Sequence, residues 1–395
     1  MPEELTLDDL EKNLRDNYLG KDIGENQLDE PFELHWRFVR SFSWGLSDDN
    51  PLFCDPAYAA KTRWGCQLAP PTIVSSIRYP QSHAAIWDKP YPVTNLVAGC
   101  KFEWCNVFRA GDRLTSSLMI NDIQRKVGKA GPLIFVTTEG DMWNQHGDLI
   151  VTQSASQVQV EMPKGVQRGE KLVYEQEPYR YSQEEIKKIV DCYDAETIRG
   201  SKPLYWDEVK VGDKVPTMVR GPLTLGDMIM YHGRSYPTGP VSGSFKVALK
   251  DARKVPPYSL RTNPKTNWPY EDMMWEHYDI NLVRARNLPL NFDLGCMRYE
   301  MAVTLLTNWM GDDGFVRRLN VQIRRPNFYG DTTWFSGEVV NKEKVTEGGV
   351  EYGAVDIKID GVNQQGNTTT PATATVYLPS PGREVQIPIP AGDAK

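Results

Sequence analysis

The chain has 395 residues, 40% of them hydrophobic, with eleven Trp and eighteen Tyr, which excludes a disordered protein. At this length two or three domains are expected, and each half is large enough to bury a core. The net charge of −7 argues against a general nucleic-acid binder or a membrane-surface binder.

The N-terminal 30 residues are acidic and amphipathic, which predicts a helical arm with Thr6 or Asp8 as its cap. This arm lacks the basic start and apolar core of a signal peptide. No uninterrupted apolar run reaches the roughly 20 residues that a membrane span needs. The six Cys form no Cys-x-x-Cys pair and no ligand-spaced cluster with His. We therefore expect a reduced, cytoplasmic protein without a metal site.

The first half of the chain is predicted over residues 31–160. Aromatic residues at helical spacing indicate a helix within 33–46, and an apolar helix is predicted over 71–86. Pro71 suits the first turn of that helix, where a missing N–H costs nothing. Four strands with alternating apolar residues follow between about 97 and 160.

A polar connector is predicted over 161–203, with one helix that begins after Ser182 and is closed by a capping box with Glu185. The second half is predicted over 204–379. It begins with a short helix capped by Thr224.

The rest of the second half contains one feature that the first half lacks, an insertion over 237–270 with six prolines. An apolar helix over 295–309 and four strands follow, and residues 380–395 are expected to form a loose tail.

Two stretches of the chain share one spacing of three residues. In each stretch the second residue lies five positions after the first, and the third lies eighteen positions after the second. The stretch in the second half contains an acid, an imidazole and a glycine, which are Asp272, His277 and Gly295. The matching positions in the first half are Asp48, Phe53 and Pro71.

A second pair of spacings supports a duplication. Gly111-Asp112 precedes Asn144-Gln145 by 33 residues, and Gly330-Asp331 precedes Asn363-Gln364 by the same 33. Both dipeptides are turn sequences, because Gly and Asn tolerate positive φ and Asp forms local side-chain hydrogen bonds. Strand-like sequence separates them in both copies. The chain therefore contains two copies of one helix followed by an antiparallel sheet long enough to wrap it. This predicts an α+β double hot dog fold.

The residues from Leu46 to Ala60, with Asp48, Asn50, Pro51 and Asp55 in the middle, resemble the motif of MaoC-like enoyl-CoA hydratases and dehydratases. The same region followed by Arg109-Ala-Gly-Asp is similar to the FAS1-like dehydratase domain. The second half resembles the second hot dog of double MaoC proteins. The resemblance implies reversible addition of water across the α,β double bond of an acyl-CoA thioester. It also implies that the substrate carries coenzyme A and that no separate cofactor is needed.

In this family an Asp and a His share the catalytic water, and a backbone N–H at the start of the central helix polarises the thioester oxygen. Carried over to this chain, the catalytic residues are Asp272, His277 and Gly295, with the Cys296 amide beside it. Asp279 and Asp227 remain alternatives to Asp272. Phe53 cannot transfer a proton, and proline at position 71 has no N–H to donate. The second half is therefore expected to be the active one.

The insertion carries an excess of basic residues that could bind the phosphates of coenzyme A, although a solvated surface is the slightly favoured interpretation. The residues concerned are Lys246, Lys250, Arg253 and Lys254.

Two other functions fit the same features. A hot dog thioesterase would use the same helix-start amide and a carboxylate that directs water to the carbonyl carbon. A non-catalytic acyl-CoA-binding or partner subunit would account for Phe53 and for the altered second motif. The acyl chain and its stereochemistry stay undetermined, and a homodimer is expected.

Overall fold

The computed structural model describes residues 5–23, 31–80, 88–89, 91, 93–128, 131–161, 176–235, 244–255, 260–285 and 288–390. The α-helices are α1 (Leu7–Asn17), α2 (Trp36–Gly45), α3 (Pro51–Cys54), α4 (Pro56–Ala59), α5 (Val74–Ile77), α6 (Gln183–Asp194), α7 (Leu225–Ser235), α8 (Lys246–Ala252), α9 (Ile280–Ala285) and α10 (Gly295–Met310). Short 3₁₀ turns span Pro71–Ile73, Trp206–Glu208 and Met273–His277.

The strands of the main sheet are β1 (Phe32–Glu33), β2 (Val93–Trp104), β3 (Arg113–Ser116), β4 (Met119–Gly128), β5 (Gly131–Trp143), β6 (Leu149–Glu161), β7 (Lys214–Arg220), β10 (Phe315–Gln322), β11 (Thr333–Glu347), β12 (Val350–Asn363) and β13 (Thr368–Leu378). A separate two-stranded ribbon in the insertion pairs β8 (Leu260–Arg261) with β9 (Glu271–Asp272).

The eleven strands of the main sheet are continuous across both halves, in the order β1-β3-β5-β6-β2-β10-β13-β12-β11-β7, with β4 also paired to β5. The halves join where β2 pairs antiparallel with β10, from Arg318 opposite Glu103 to Gln322 opposite Gly99. Each half thereby hides the sheet edge that it would otherwise leave unpaired. The halves therefore pack edge to edge into one continuous sheet.

The central helix of the second half, α10, is hydrophobic over most of its surface, and nearly all of its 16 residues are buried. A helix that is apolar on every side belongs inside a core. Its apolar residues share one core cluster with residues of both halves of the sheet, including Phe102 of β2 and Leu319 of β10. A sheet wrapped around a buried helix is the expected hot dog arrangement, and the α+β double hot dog fold is confirmed.

The predicted turns are duplicated down to individual hydrogen bonds. Asp112 accepts the Arg109 N–H at 2.8 Å, and Asp331 accepts the Phe328 N–H at 2.8 Å. Gly111 and Gly330 both have positive φ, 98° and 88°. The equal spacing in the sequence therefore corresponds to equal backbone geometry.

The helix predicted over 71–86 is shorter in the structure. A 3₁₀ turn over Pro71–Ile73 leads into α5, which ends at Ile77, and Arg78 is extended with φ −135° and ψ 98°. Pro80 gives the physical reason, because a proline disfavours helical backbone at the residue before it. Residues 81–87 lie outside the described part of the chain.

Helix capping follows the sequence closely. Thr6 and Ser182 form capping boxes with Asp9 and Glu185, and Thr224 exchanges hydrogen bonds with Asp227. The division of the chain at 31–160 and 204–379 stays a prediction, and the two ranges are called the first and second halves below. Within the described residues, no helix combines the length and hydrophobicity that a membrane crossing requires.

The prediction of a loose tail is wrong for residues 380–390. Val385 and Ile389 are buried in the main core, and the Ile389 N–H donates to the Cys105 carbonyl at 2.6 Å. The alternation of apolar residues at 385, 387 and 389 gives this segment a face that can pack like a strand. Residues 391–395 lie outside the described part of the chain.

Candidate active site

Asp272 and Asp48 occupy equivalent positions in the two halves. Asp272 is buried and caps the 3₁₀ turn Met273–His277, where its Oδ1 accepts the Met274 N–H at 2.8 Å. Asp48 is also buried, and its Oδ1 accepts the Asn50 N–H at 3.0 Å. In both halves the carboxylate therefore fixes the backbone that leads to the second site position, His277 or Phe53.

His277 ends this turn and is held by its ring. Its Nδ1 lies 3.1 Å from the Phe292 carbonyl oxygen, and its ring packs on the Phe292 ring with centroids 4.3 Å apart. A carbonyl only accepts, so Nδ1 carries the proton and Nε2 carries the lone pair of a neutral imidazole. Nε2 is thereby the nitrogen that can remove a proton from water.

Gly295 is the first residue of α10, and its N-cap Leu294 makes no side-chain capping hydrogen bond. The first N–H groups of a helix have no partner within the helix and carry its positive dipole end. A Cβ built on Gly295 would lie 3.1 Å from Ile323 Cδ1 and 4.0 Å from Val97 Cβ. Val97 belongs to the first half, so this helix start faces the junction of the halves.

The start of α10 is anchored by a buried ion pair. Arg298 binds both oxygens of Asp293, each at 2.6 Å, and the Asn327 N–H and side-chain amide add bonds of 3.1 and 3.0 Å. Bidentate pairing fixes geometry as well as charge. Asp293 is therefore committed to holding the helix start in place.

The other acids near the motif are also committed to structure. Asp279 Oδ1 accepts from Asn281, and its Oδ2 accepts the Asn263 side-chain amide at 2.8 Å. Asp227 caps α7 through Thr224. The three acids that the sequence leaves open therefore each accept a backbone N–H group in their own turn.

The equivalent site in the first half lacks both a side chain that can transfer a proton and an N–H at the third position. Phe53 is buried, and Pro71 begins its 3₁₀ turn without an N–H. Both residues line a cavity together with Trp104 and Met310.

Tyr278 and His232 form a pair that no spacing in the sequence indicates. The Tyr278 hydroxyl lies 2.8 Å from His232 Nδ1, and the rings stack with centroids 5.6 Å apart. Burial lowers the pKa of His232, which favours the neutral imidazole. Burial also raises the pKa of Tyr278, with smaller contributions from Cys296 and Asp272. Only the fold brings α7 to this position.

The insertion is tied to the site through the ribbon of β8 and β9. Leu260 pairs with Asp272 in that ribbon, and Arg261 forms an ion pair with the buried Glu276. Lys246 and Lys250 lie on α8, which precedes the ribbon, and Arg253 and Lys254 follow that helix directly. Lys254 pairs with Asp251 at 3.0 Å. The basic residues therefore belong to a segment whose later part contacts the candidate turn.

Within the described residues, no three His, Cys, Asp or Glu side chains are grouped so that they could hold a metal ion. The chemistry available at this site is that of an acid, an imidazole and helix-start amides.

Comparison with known proteins gives a consistent result. Residues 21–153 match the family model for the FAS1-like dehydratase domain region. A UPF0336 protein of Thermobifida fusca (strain YX) is 30% identical over 139 residues, which are 34% of this chain and 87% of that protein.

Among solved structures, a MaoC-like dehydratase has a TM-score of 0.61 at 19% identity, with 89% of this chain and 96% of that chain covered. A Chloroflexus aurantiacus J-10-fl protein described as a MaoC domain dehydratase has a TM-score of 0.57 at 14% identity, with 93% and 97% covered. At these identities the likeness establishes a shared fold.

Proposed function

Since this chain belongs to the FAS1-like dehydratase family, with the double hot dog fold of the MaoC-like dehydratases, we propose that it adds or removes water across the α,β double bond of an acyl-CoA thioester. The observation that carries the proposal is the asymmetry of two otherwise equivalent sites. One has Asp272, His277 and a helix start with amides, whereas the other has Asp48, Phe53 and Pro71.

In the hydration direction, His277 Nε2 and the Asp272 carboxylate orient one water molecule and accept a proton from it. The water oxygen bonds to the β-carbon, and the electrons of the double bond move toward the thioester oxygen. The Gly295 and Cys296 amides stabilise that negative charge, at about 3 kcal/mol for one well-aimed donor. The α-carbon then receives a proton, so that one water is added in total, and dehydration is the reverse.

The pair of Tyr278 and His232 has a supporting role in this scheme. Tyr278 follows His277 directly in the chain, and its hydroxyl is fixed by His232. A fixed phenol beside the imidazole limits where water and substrate can lie. Rigid support of this kind matters because an error of 1 Å in position can cost about 10²-fold in rate.

We further propose that the basic residues Lys246, Lys250, Arg253 and Lys254 attract the phosphates of coenzyme A. Support comes from their place in the insertion whose ribbon pairs with Asp272. A homodimer and a cytoplasmic location remain predictions from the sequence.

The test is to mix the protein with a panel of trans-2-enoyl-CoA thioesters and to follow loss of the conjugated absorbance together with product mass. A mass gain of one water supports the proposal. Release of free thiol would instead support the thioesterase, and binding without turnover would support the non-catalytic subunit.

A further inference from the structure

Glu300 is a buried acid that the hydration mechanism does not use. It lies in α10 with 0% of its surface exposed. Tyr231 donates its hydroxyl hydrogen to Glu300 Oε2 at 2.6 Å, whereas Oε1 is buried without a hydrogen-bond partner. A carboxyl oxygen left in this state costs about 1–3 kcal/mol, so its presence in the centre of the protein calls for an explanation.

The protonation state of Glu300 defines what Oε1 can bind. Burial raises the pKa of Glu300 well above its ordinary value, and the hydrogen bond from Tyr231 offsets only part of that shift. Burial therefore favours the neutral form of this acid. A neutral acid can both donate and accept, so it suits a hydroxyl or a keto oxygen and does not require a charged ligand.

Glu300 also lies on the same face of α10 as Cys296, whose backbone N–H is one of the two amides proposed to bind the thioester oxygen. It follows Cys296 by four residues, so both side chains share one helix face about 6 Å apart along the axis. Glu300 and Cys296 each act electrostatically on Cys100 of β2, and Gly295 lies against Val97 of that strand. An acyl chain that continued from the start of α10 along this face, next to β2, would pass Glu300.

Resting on the function proposed above, we infer that Glu300 is a specificity residue that selects acyl chains carrying a hydroxyl or keto oxygen beyond the reacting double bond. Tyr231 holds Oε2 and so directs Oε1 toward that oxygen. A hydroxyl or keto oxygen gives Oε1 a partner, whereas a plain hydrocarbon chain leaves it unpaired, so the enzyme favours the oxygenated chain by the hydrogen bond gained.

The experiment uses pairs of trans-2-enoyl-CoA thioesters of equal length, with and without one hydroxyl at successive carbons of the chain. The ratio of kcat/KM values within each pair is measured for the wild type, Glu300→Gln, Glu300→Leu and Ser76→Ala. Ser76 precedes Glu300 by 224 residues, the same separation as that between Asp48 and Asp272. It is therefore the equivalent position in the first half and serves as the matched control.

The wild type is expected to prefer the hydroxylated member of at least one pair by tenfold or more. Glu300→Leu should lower that preference at least tenfold while plain chains are hydrated as fast or faster. Glu300→Gln should retain part of it, because an amide still donates and accepts, and Ser76→Ala should retain all of it. An unchanged ratio in a folded Glu300→Leu protein, or a wild type that prefers plain chains throughout, would overturn the inference.

Calorimetric binding of the same thioester pairs separates this inference from the proposed function. If no thioester is hydrated but the hydroxylated chain binds tenfold tighter in the wild type and not in Glu300→Leu, the specificity role stands and the hydratase proposal fails. If hydration proceeds with no preference in rate or binding, the hydratase proposal stands and the role of Glu300 fails.

Discussion

Phe53 and His277 are equivalent residues of a duplicated site, and each backbone carbonyl accepts a hydrogen bond from a side-chain amide fourteen residues later, Gln67 or Asn291. The backbone is thus kept in both halves, whereas a side chain that could transfer a proton stands at only one of these two positions. This separation of scaffold from chemistry leads to the following predictions.

His277→Ala should lower kcat/KM for enoyl-CoA hydration by about 10²–10⁴-fold, because general acid–base help is of that size. The melting temperature should change little, since the turn is capped by Asp272 and not by the imidazole. Steady-state kinetics with a thermal melt will check both. The control is Asp48→Ala, which removes the acid of the first half that is equivalent to Asp272. An equal loss of turnover in that variant would show that the chemistry does not belong to the second half alone.

Gly295→Pro should retain the helix and lose activity. Proline is tolerated at the first helical position, and Leu294 has φ −75° and ψ 131°, which suits a residue before proline. The variant copies Pro71 and removes one amide donor, so a loss of about 10²–10³-fold in kcat is expected if that amide binds the oxyanion.

Gly295→Ala is the control, because it adds a Cβ next to Ile323 but keeps the N–H. Equal losses in the proline and alanine variants would point to a steric effect. Full activity in Gly295→Pro would indicate that the backbone N–H of Cys296, and not that of Gly295, binds the oxyanion.

Asp48→Asn should stabilise the protein above pH 6. Burial raises the pKa of Asp48 to about 6, only partly offset by the hydrogen bond from Asn50 and by Arg220. The unfolded chain loses this proton near pH 4, so the folded state binds more protons between pH 4 and 6, and the Asp48 contribution to stability falls as pH rises through that window. The full loss is on the order of 3 kcal/mol.

Urea unfolding at pH 4 and pH 8 will check this prediction. Asparagine retains the acceptor for the Asn50 N–H, so the variant should match the wild type at pH 4 and exceed it by about 1–3 kcal/mol at pH 8. A variant that is less stable at pH 8 would contradict the assigned shift.

Replacing Lys246, Lys250, Arg253 and Lys254 with Gln should raise KM for acyl-CoA and leave kcat nearly unchanged. These groups would act on phosphates far from the reacting carbons, so they would stabilise the bound substrate and the transition state equally. The effect should shrink in high salt because exposed charges are screened. Lys187 and Lys214, which pair with acids elsewhere on the surface, provide control substitutions. Equal KM values for wild type and variant at low salt would exclude the phosphate role.

The sequence by itself determined the duplication and the fold class. Spacing survives divergence because turns such as Gly111-Asp112 and Gly330-Asp331 depend on local backbone conformation, which a few residues specify. Capping residues such as Ser182 act over three or four positions and are predictable for the same reason. The absence of a proton-transfer group at Phe53 and of an N–H at Pro71 also follows from residue chemistry alone.

Only the tertiary structure decided which groups meet across the chain. His232 reaches Tyr278 from 46 residues away, and Tyr231 reaches Glu300 from 69. The structure also committed Asp279 and Asp227 to capping, ended α5 before Pro80, and packed Ile389 into the core. Such contacts depend on how α7, α10 and the sheet pack together, and hydrophobic burial fixes that packing without leaving a local pattern in the sequence.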